Sequence, residues 1–180
     1  MGAPDTALAR AKHGDHAAFG ELVREHQSMV FGLACHFLRD TAVAEELAQD
    51  VFLELFQRLD GIQSAEHLRF WLRRVASNRC IDAARRRKIR PFFGLDDVPE
   101  PAVTPETGDP LLADRLQRYV GALPEAQRMI VILRFQEDLS PAEISDLLEM
   151  PLNTVKSHLQ RSLALLREKL SRVHRREVAV

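Results

Sequence analysis

Between Pro91 and Pro110 the chain carries five prolines, two glycines and a run of acids. Proline lacks the backbone N–H that a helix or a strand ladder needs, and this composition offers little apolar surface to bury. No regular element is expected to cross the segment, so whatever folds must fold on either side of it. The expected organisation is two small domains, residues 1–90 and 111–180, joined by an acidic, proline-rich linker over residues 91–110.

Both flanks carry helical rather than strand-like periodicity. Phe19, Leu22, Val23, Val30, Leu33 and Phe37 recur at helical spacing, as do Val43, Leu47, Val51, Leu55 and Leu59. Asp40 or Thr41 is suited to cap the second of these helices, and Gly61 to end it. A third helix is expected from near Glu66, turning Leu68, Trp71, Leu72, Val75 and Ala76 inward. Beyond the linker the pattern resumes at Leu111, and Pro124 fits the first turn of a helix carrying Met129, Ile130 and Leu133. Ser140, Pro141 and Glu143 spell a capping box, in which serine and glutamate each satisfy an orphan N–H of the other's residue. A short helix to about Glu149, a tight connection through Met150 and Pro151, and a new start at Asn153 running to about Ser171 make a helix-turn-helix. The fold class is all-α: an N-terminal helical bundle and a C-terminal helix-turn-helix domain.

A formal net charge of −1 conceals blocks of opposite sign. Asp40 to Asp60 holds six acids and one base, Arg69 to Arg90 nine bases and one acid, Gly94 to Asp114 six acids and no base, and Lys156 to Arg176 seven bases and one acid. Two basic blocks therefore bracket an acidic one. Other classes are disfavoured. The longest apolar run, Met129 to Leu133, is far short of the ~20 residues of a membrane-spanning helix, and no apolar leader follows Met1. A cytoplasmic protein that is not integral to the membrane is expected. Cys35 and Cys80 have no CxxC spacing, so reduced, partly buried thiols are expected rather than a disulfide or zinc site. No Glu-x-x-His pair, phosphate-binding loop or nucleophile elbow occurs, and His13, His16 and His174 read as surface histidines. No enzyme activity, cofactor, metal or small-molecule substrate is expected.

The basic blocks carry chemistry suited to nucleic acid. A helix-turn-helix presents polar side chains from the first turns of its second helix to the major groove. Ile144, Leu147, Val155 and Leu159 are spaced to pack inward, which leaves Asn153, Thr154, Lys156, Ser157, His158, Gln160 and Arg161 to face outward. In Arg69 to Arg90 aromatics and an asparagine are interleaved with arginines, supplying cations for phosphates and flat or amide surfaces for unstacked bases. Trp71 is in register with Val75, which favours a core role.

The pairing of AEELAQDVF (Ala44 to Phe52) with this arginine-rich tryptophan helix, followed by LSPAEISDLLEMPLNTVKSHLQRSL (Leu139 to Leu163), resembles the extracytoplasmic-function sigma factors of RNA polymerase. The resemblance runs from about Asp15 to Ser171 and covers the second and fourth conserved sigma regions. It implies that the first domain docks on the clamp helices of the largest polymerase subunit through Glu45, Glu46, Gln49, Asp50 and Phe52. An acidic face edged by Phe52 and Phe56 independently suits a basic helical partner. By the same resemblance the loop Ile62, Gln63, Ser64, Ala65, Glu66 and His67, with Arg74, Asn78, Arg79 and Arg85, meets the −10 element and captures a flipped base. Asn153 to Arg161 would read the −35 element. Lys156 stands where an arginine is frequent in the family and Gln160 where bulkier residues occur. The implied partners are core RNA polymerase, including the flap of its second-largest subunit, promoter DNA and an anti-sigma factor, with the acidic linker threading toward the RNA exit path.

Overall fold

The computed structural model describes residues 3–89 and 110–178; the 91–110 linker expectation falls outside them except for Pro110. The described residues are helical, with no strand among them. Two compact units are present, Met1–Pro99 and Glu100–Val180.

In the first unit, α1 (Ala3–Lys12) precedes α2 (His16–Leu38) and α3 (Thr41–Arg58), a 3-10 turn follows at Leu59–Gly61, and α4 spans Ala65–Ile89. Helix α1 is absent from the sequence expectations because its inward residues include two alanines, Ala7 and Ala11, beside Leu8. Gly14 ends it in the left-handed region (φ 86°), where the N–H groups of Gly14 and Asp15 reach back to the carbonyls of Ala11 and Arg10. Asp15 then caps α2 by accepting from the Ala18 N–H at 3.0 Å, and Asp40, rather than Thr41, caps α3 by accepting from Val43 at 3.1 Å. Helix α2 packs against α1, α3 and α4, so its Leu22, Val30, Leu33 and Phe37 are enclosed with Val51 and Leu55 of α3 and Leu68 and Leu72 of α4. Fully burying each large aliphatic or aromatic side chain contributes roughly 1.5–3 kcal/mol. Cys35 and Cys80 are both free and buried, and burial pushes the Cys80 thiol up to about 12.

In the second unit, α5 (Pro110–Gly121), α6 (Glu125–Phe135), α7 (Pro141–Leu148) and α8 (Leu152–Val178) follow one another. Pro124 stands at the N-cap of α6, just before its first turn. The capping box forms: Glu143 N–H donates to Ser140 Oγ at 3.3 Å, and Ser140 N–H donates to Glu143 Oε2 at 2.8 Å. Glu149 closes α7 in a left-handed conformation (φ 53°), with the Met150 N–H on the Ser145 carbonyl at 3.0 Å and the Ser145 hydroxyl on the Met150 carbonyl at 2.6 Å. This double tie sets the turn between α7 and α8. Both helices then pack on each other through the buried Ile144, Leu147 and Val155. Helix α8 continues past Ser171, the expected end, to Val178.

Candidate functional site

Three surfaces gather the residues singled out by sequence. The first is an open groove of about 840 Å³ between α2 and α3, whose walls include Phe19, Val23 and Phe31 from one helix and Gln49, Phe52 and Phe56 from the other. Glu45, Glu46, Gln49 and Asp50 are all exposed on α3, and Glu45 and Gln49 line the groove itself. Phe52 departs from the expectation of an exposed contact: it is buried, because its helical register with Ala48 and Leu55 turns it toward α2, and it lines the groove wall. The exposed apolar surface instead comes from Leu53, 62% exposed, and Phe56, 48% exposed. Leu53 was not singled out by sequence, since it falls outside the inward stripe; a leucine at a position expected to be solvated is the signal that could have found it. Phe56 is fixed by His16, stacked at 5.9 Å, and by Phe19, edge-on at 5.1 Å.

The second surface lies at the turn from α3 into α4. A pocket of about 390 Å³ is lined by Gln57, Arg58, Asp60, Ile62, His67 and Trp71 together with Gly61. The turn residues do not all face it. Ile62 is 1% exposed: its apolar side chain joins the core and lines the pocket from the inner side. Gln63, Ser64 and Glu66 are exposed, while Ala65 and His67 are half-buried. Ser64 and His67 are committed to starting α4: the Ser64 hydroxyl accepts from the His67 N–H at 3.1 Å, and His67 Nδ1 accepts from the Gln63 N–H at 3.1 Å. Trp71 is half-buried at the pocket rather than fully in the core. Gln57 and Arg58 were missed, because sequence gives no cue that the end of α3 returns to the start of α4.

Along α4, Trp71, Arg74, Asn78 and Arg85 recur at intervals of three, four and seven residues, so at about 100° per residue they share one stripe leading away from that pocket. Asn78 and Arg85 are exposed, and Arg85 lies 3.7 Å from Asp82. Arg79 leaves the stripe. It turns to α3, where Nη1 donates to Asp50 Oδ2 at 3.0 Å and Nη2 and Nε donate to Glu54 Oε2 at 2.8 and 3.3 Å. Its expected place at the DNA is therefore not the one it holds, because two carboxylates one helical turn apart compete for its guanidinium.

The third surface is the start of α8. Val155, Ser162 and Leu166 mark its buried side, and Asn153, Ser157 and Gln160 project opposite them. Lys156 and Arg161 flank this face about 140° apart. Asn153, Lys156, Gln160 and Arg161 are exposed. Thr154 and His158 are half-buried toward the edge of this face, and His158 has its Nδ1 enclosed. Ser157 is half-buried and donates its hydroxyl to the Thr154 carbonyl at 3.0 Å, leaving its oxygen free to accept.

Among the described residues no cluster of three or more His, Cys, Asp or Glu side chains is placed to hold a metal ion, and no helix is long and apolar enough to cross a membrane.

Family models for Sigma-70 region 2 and Sigma-70, region 4 match residues 22–89 and 113–166. The chain is 34% identical over 172 residues to the ECF RNA polymerase sigma factor RpoE of Cereibacter sphaeroides, with 92% of this chain and 94% of the relative covered. It is 27% identical over 178 residues to the ECF RNA polymerase sigma factor SigW of Bacillus subtilis, covering 91% and 94%. Among solved structures, CnrH in complex with the cytosolic domain of CnrY superposes with a TM-score of 0.68 at 23% identity, covering 93% of this chain and 97% of the other. At that identity the likeness speaks for the fold.

Proposed function

This chain belongs to the extracytoplasmic-function RNA polymerase sigma factors and directs promoter-specific transcription initiation, and we propose that its three surfaces divide that work. Sigma factors are regulatory initiation factors, and this one acts in the cytoplasm by binding rather than by catalysing a reaction. Residues 1–90 dock on the polymerase clamp helices through Glu45, Glu46, Gln49 and Asp50, with Leu53 and Phe56 as the apolar edge. An acidic rim beside an apolar groove complements a basic amphipathic helix. The pocket at the α3–α4 turn receives an unstacked base of the −10 strand, and Arg74, Asn78 and Arg85 follow its backbone. Residues 111–180 read the −35 duplex with Asn153, Lys156, Ser157, Gln160 and Arg161, and the acidic linker spans the two. An anti-sigma factor is the expected antagonist, as the co-crystal structure of the sigma factor RpoE with the anti-sigma factor NepR from Bartonella quintana illustrates for that protein.

The observation that carries this reading is the outward face of α8, where amide, hydroxyl and two cations sit opposite a buried seam. The test is transcription from a genomic template by core polymerase with and without the protein. New start sites sharing −10 and −35 elements are expected. Equal transcription in both reactions, or full sequence-specific duplex binding by the chain unaided, would favour a stand-alone regulator.

A further inference from the structure

Arg79 ties the proposed polymerase face to the proposed DNA helix. Arg79 of α4 uses three of its five N–H donors on α3, one on Asp50 and two on Glu54. Glu54 has both oxygens engaged, Oε2 by Arg79 and Oε1 by Arg58 Nε at 3.3 Å, and its side chain is 22% exposed. Asp50 is the looser arm, 54% exposed and bound through Oδ2. These four residues sum to zero charge.

We propose that Glu54 is a positioning residue which, with Asp50, clasps Arg79 and withholds it from DNA phosphate until a basic partner surface claims the α3 carboxylates. The proposal rests on the assignment of α3 to the polymerase and α4 to the −10 strand, and it adds a coupling between them. A phosphate approaching Arg79 in the free chain meets two carboxylates within 3.3 Å of the guanidinium, and their repulsion offsets the attraction of the cation. A lysine or arginine of a docking helix reaches Asp50 first, since Asp50 is the more exposed acid. Arg79 then keeps Glu54 alone, its Nη1 donors are released, and the cluster gains the partner's positive charge. Cation at α3 and phosphate at α4 thus favour each other, and linkage makes the effect reciprocal: whatever loosens Arg79 also frees the acids for the partner.

The reciprocity supplies two readouts that a merely structural clasp would not move in these directions. Glu54→Gln in the full chain, without polymerase, is expected to bind a fluorescent single-stranded oligonucleotide of mixed sequence about two- to fivefold tighter than wild type, the range of one exposed ion pair. Adding Arg79→Gln should erase that gain. Arg79→Gln alone should bind core polymerase about two- to fivefold tighter, because the acids lose their internal competitor. Arg79→Lys, which keeps the charge but not the fork, should fall between wild type and Arg79→Gln for core binding, and it replaces Arg79→Gln if circular dichroism shows lost helicity. Unchanged oligonucleotide affinity of Glu54→Gln, or core affinity of Arg79→Gln equal to or weaker than wild type with helicity retained, overturns the clasp. Glu46→Lys separates this from failure of the docking assignment. Glu46 lies outside the clasp, so if its reversal leaves core binding intact the docking face itself is wrong, and if it weakens binding while Arg79→Gln does not strengthen it, the clasp alone is wrong.

Discussion

Removing the two cations that flank the reading face of α8 should produce two different defects. Lys156 and Arg161 lie about 140° apart on a helix about 10–12 Å across, so their tips are separated by on the order of 10 Å, roughly three base steps of 3.4 Å. They cannot serve the same base pair. Arg161 has a planar fork suited to the O6 and N7 acceptors of guanine, and such a bidentate contact is worth about 1–3 kcal/mol of discrimination, or about 5- to 160-fold. Lys156 is a point charge suited to phosphate. One phosphate contact contributes a slope of about 0.9 in log affinity against log salt, so a fourfold rise in salt removes about 3.5-fold of affinity through that contact alone. Both side chains are exposed, so neither truncation should shift stability by more than about 0.5 kcal/mol. Arg161→Ala is therefore expected to flatten base preference at one or two −35 positions. Lys156→Ala should weaken all sequences evenly and reduce the salt slope by about one ion. The assay is holoenzyme binding to a panel of substituted −35 duplexes at 50, 100 and 200 mM salt, on the order of the range where such slopes are read. Wild-type affinity, preference and slope in both variants would refute the assignment of α8 as reader.

Charge reversal at Glu46 and Asp50 together should weaken core polymerase binding while far-ultraviolet dichroism stays helical; loss of the exposed Asp50 pair with Arg79 costs at most about 1 kcal/mol of stability, and an unchanged core affinity would remove this face from docking. Asn78→Ala, at an exposed position on the α4 stripe, should shrink the permanganate-reactive bubble or blur −10 preference and spare −35 binding, and an unaltered bubble would take Asn78 out of the site. Cys80 gives a pH signature: its thiol is held near 12 in the native chain against about 8.5 when unfolded, so above pH 8.5 the unfolded state loses a proton that the native state keeps, and stability falls as pH rises. Urea unfolding at pH 7 and pH 10 should show a loss that is smaller by about 2 kcal/mol in Cys80→Ala, the remainder including the Cys35 thiol that burial also raises, and the same loss in both proteins would contradict it.

The helices α2, α3, α6, α7 and the start of α8 were legible because each carries a periodic apolar stripe, sharpened at α3 and α7 by the capping side chains Asp40 and Ser140 and at α6 by Pro124, which local chemistry identifies. Helix α1 was not, since Ala7 and Ala11 bury little area and give a weak stripe. Site residues were legible as a set of polar types and less so one by one. Periodicity places a side chain on a face, but only tertiary neighbours decide its partner. Arg79 shows this: its sequence neighbours suggest a basic DNA-facing run, and its destination depends on Asp50 and Glu54, more than twenty residues away. Ile62 and Phe52 were drawn into the interior by packing that their motif does not encode.

The turn between α7 and α8 has an evolutionary consequence. The orientation of α8 is set by the Ser140 and Glu143 cap, the Ser145 to Met150 tie and the buried Ile144, Leu147 and Val155. None of these is a side chain that the helix displays. Asn153, Lys156, Gln160 and Arg161 are exposed, so exchanging them changes stability by no more than about 0.5 kcal/mol each. After gene duplication, one copy can therefore drift across these four positions while its scaffold stays intact. The same separation makes the unit a starting point for orthogonal transcription circuits, where a library confined to the displayed residues would sample new specificities in an already folded protein.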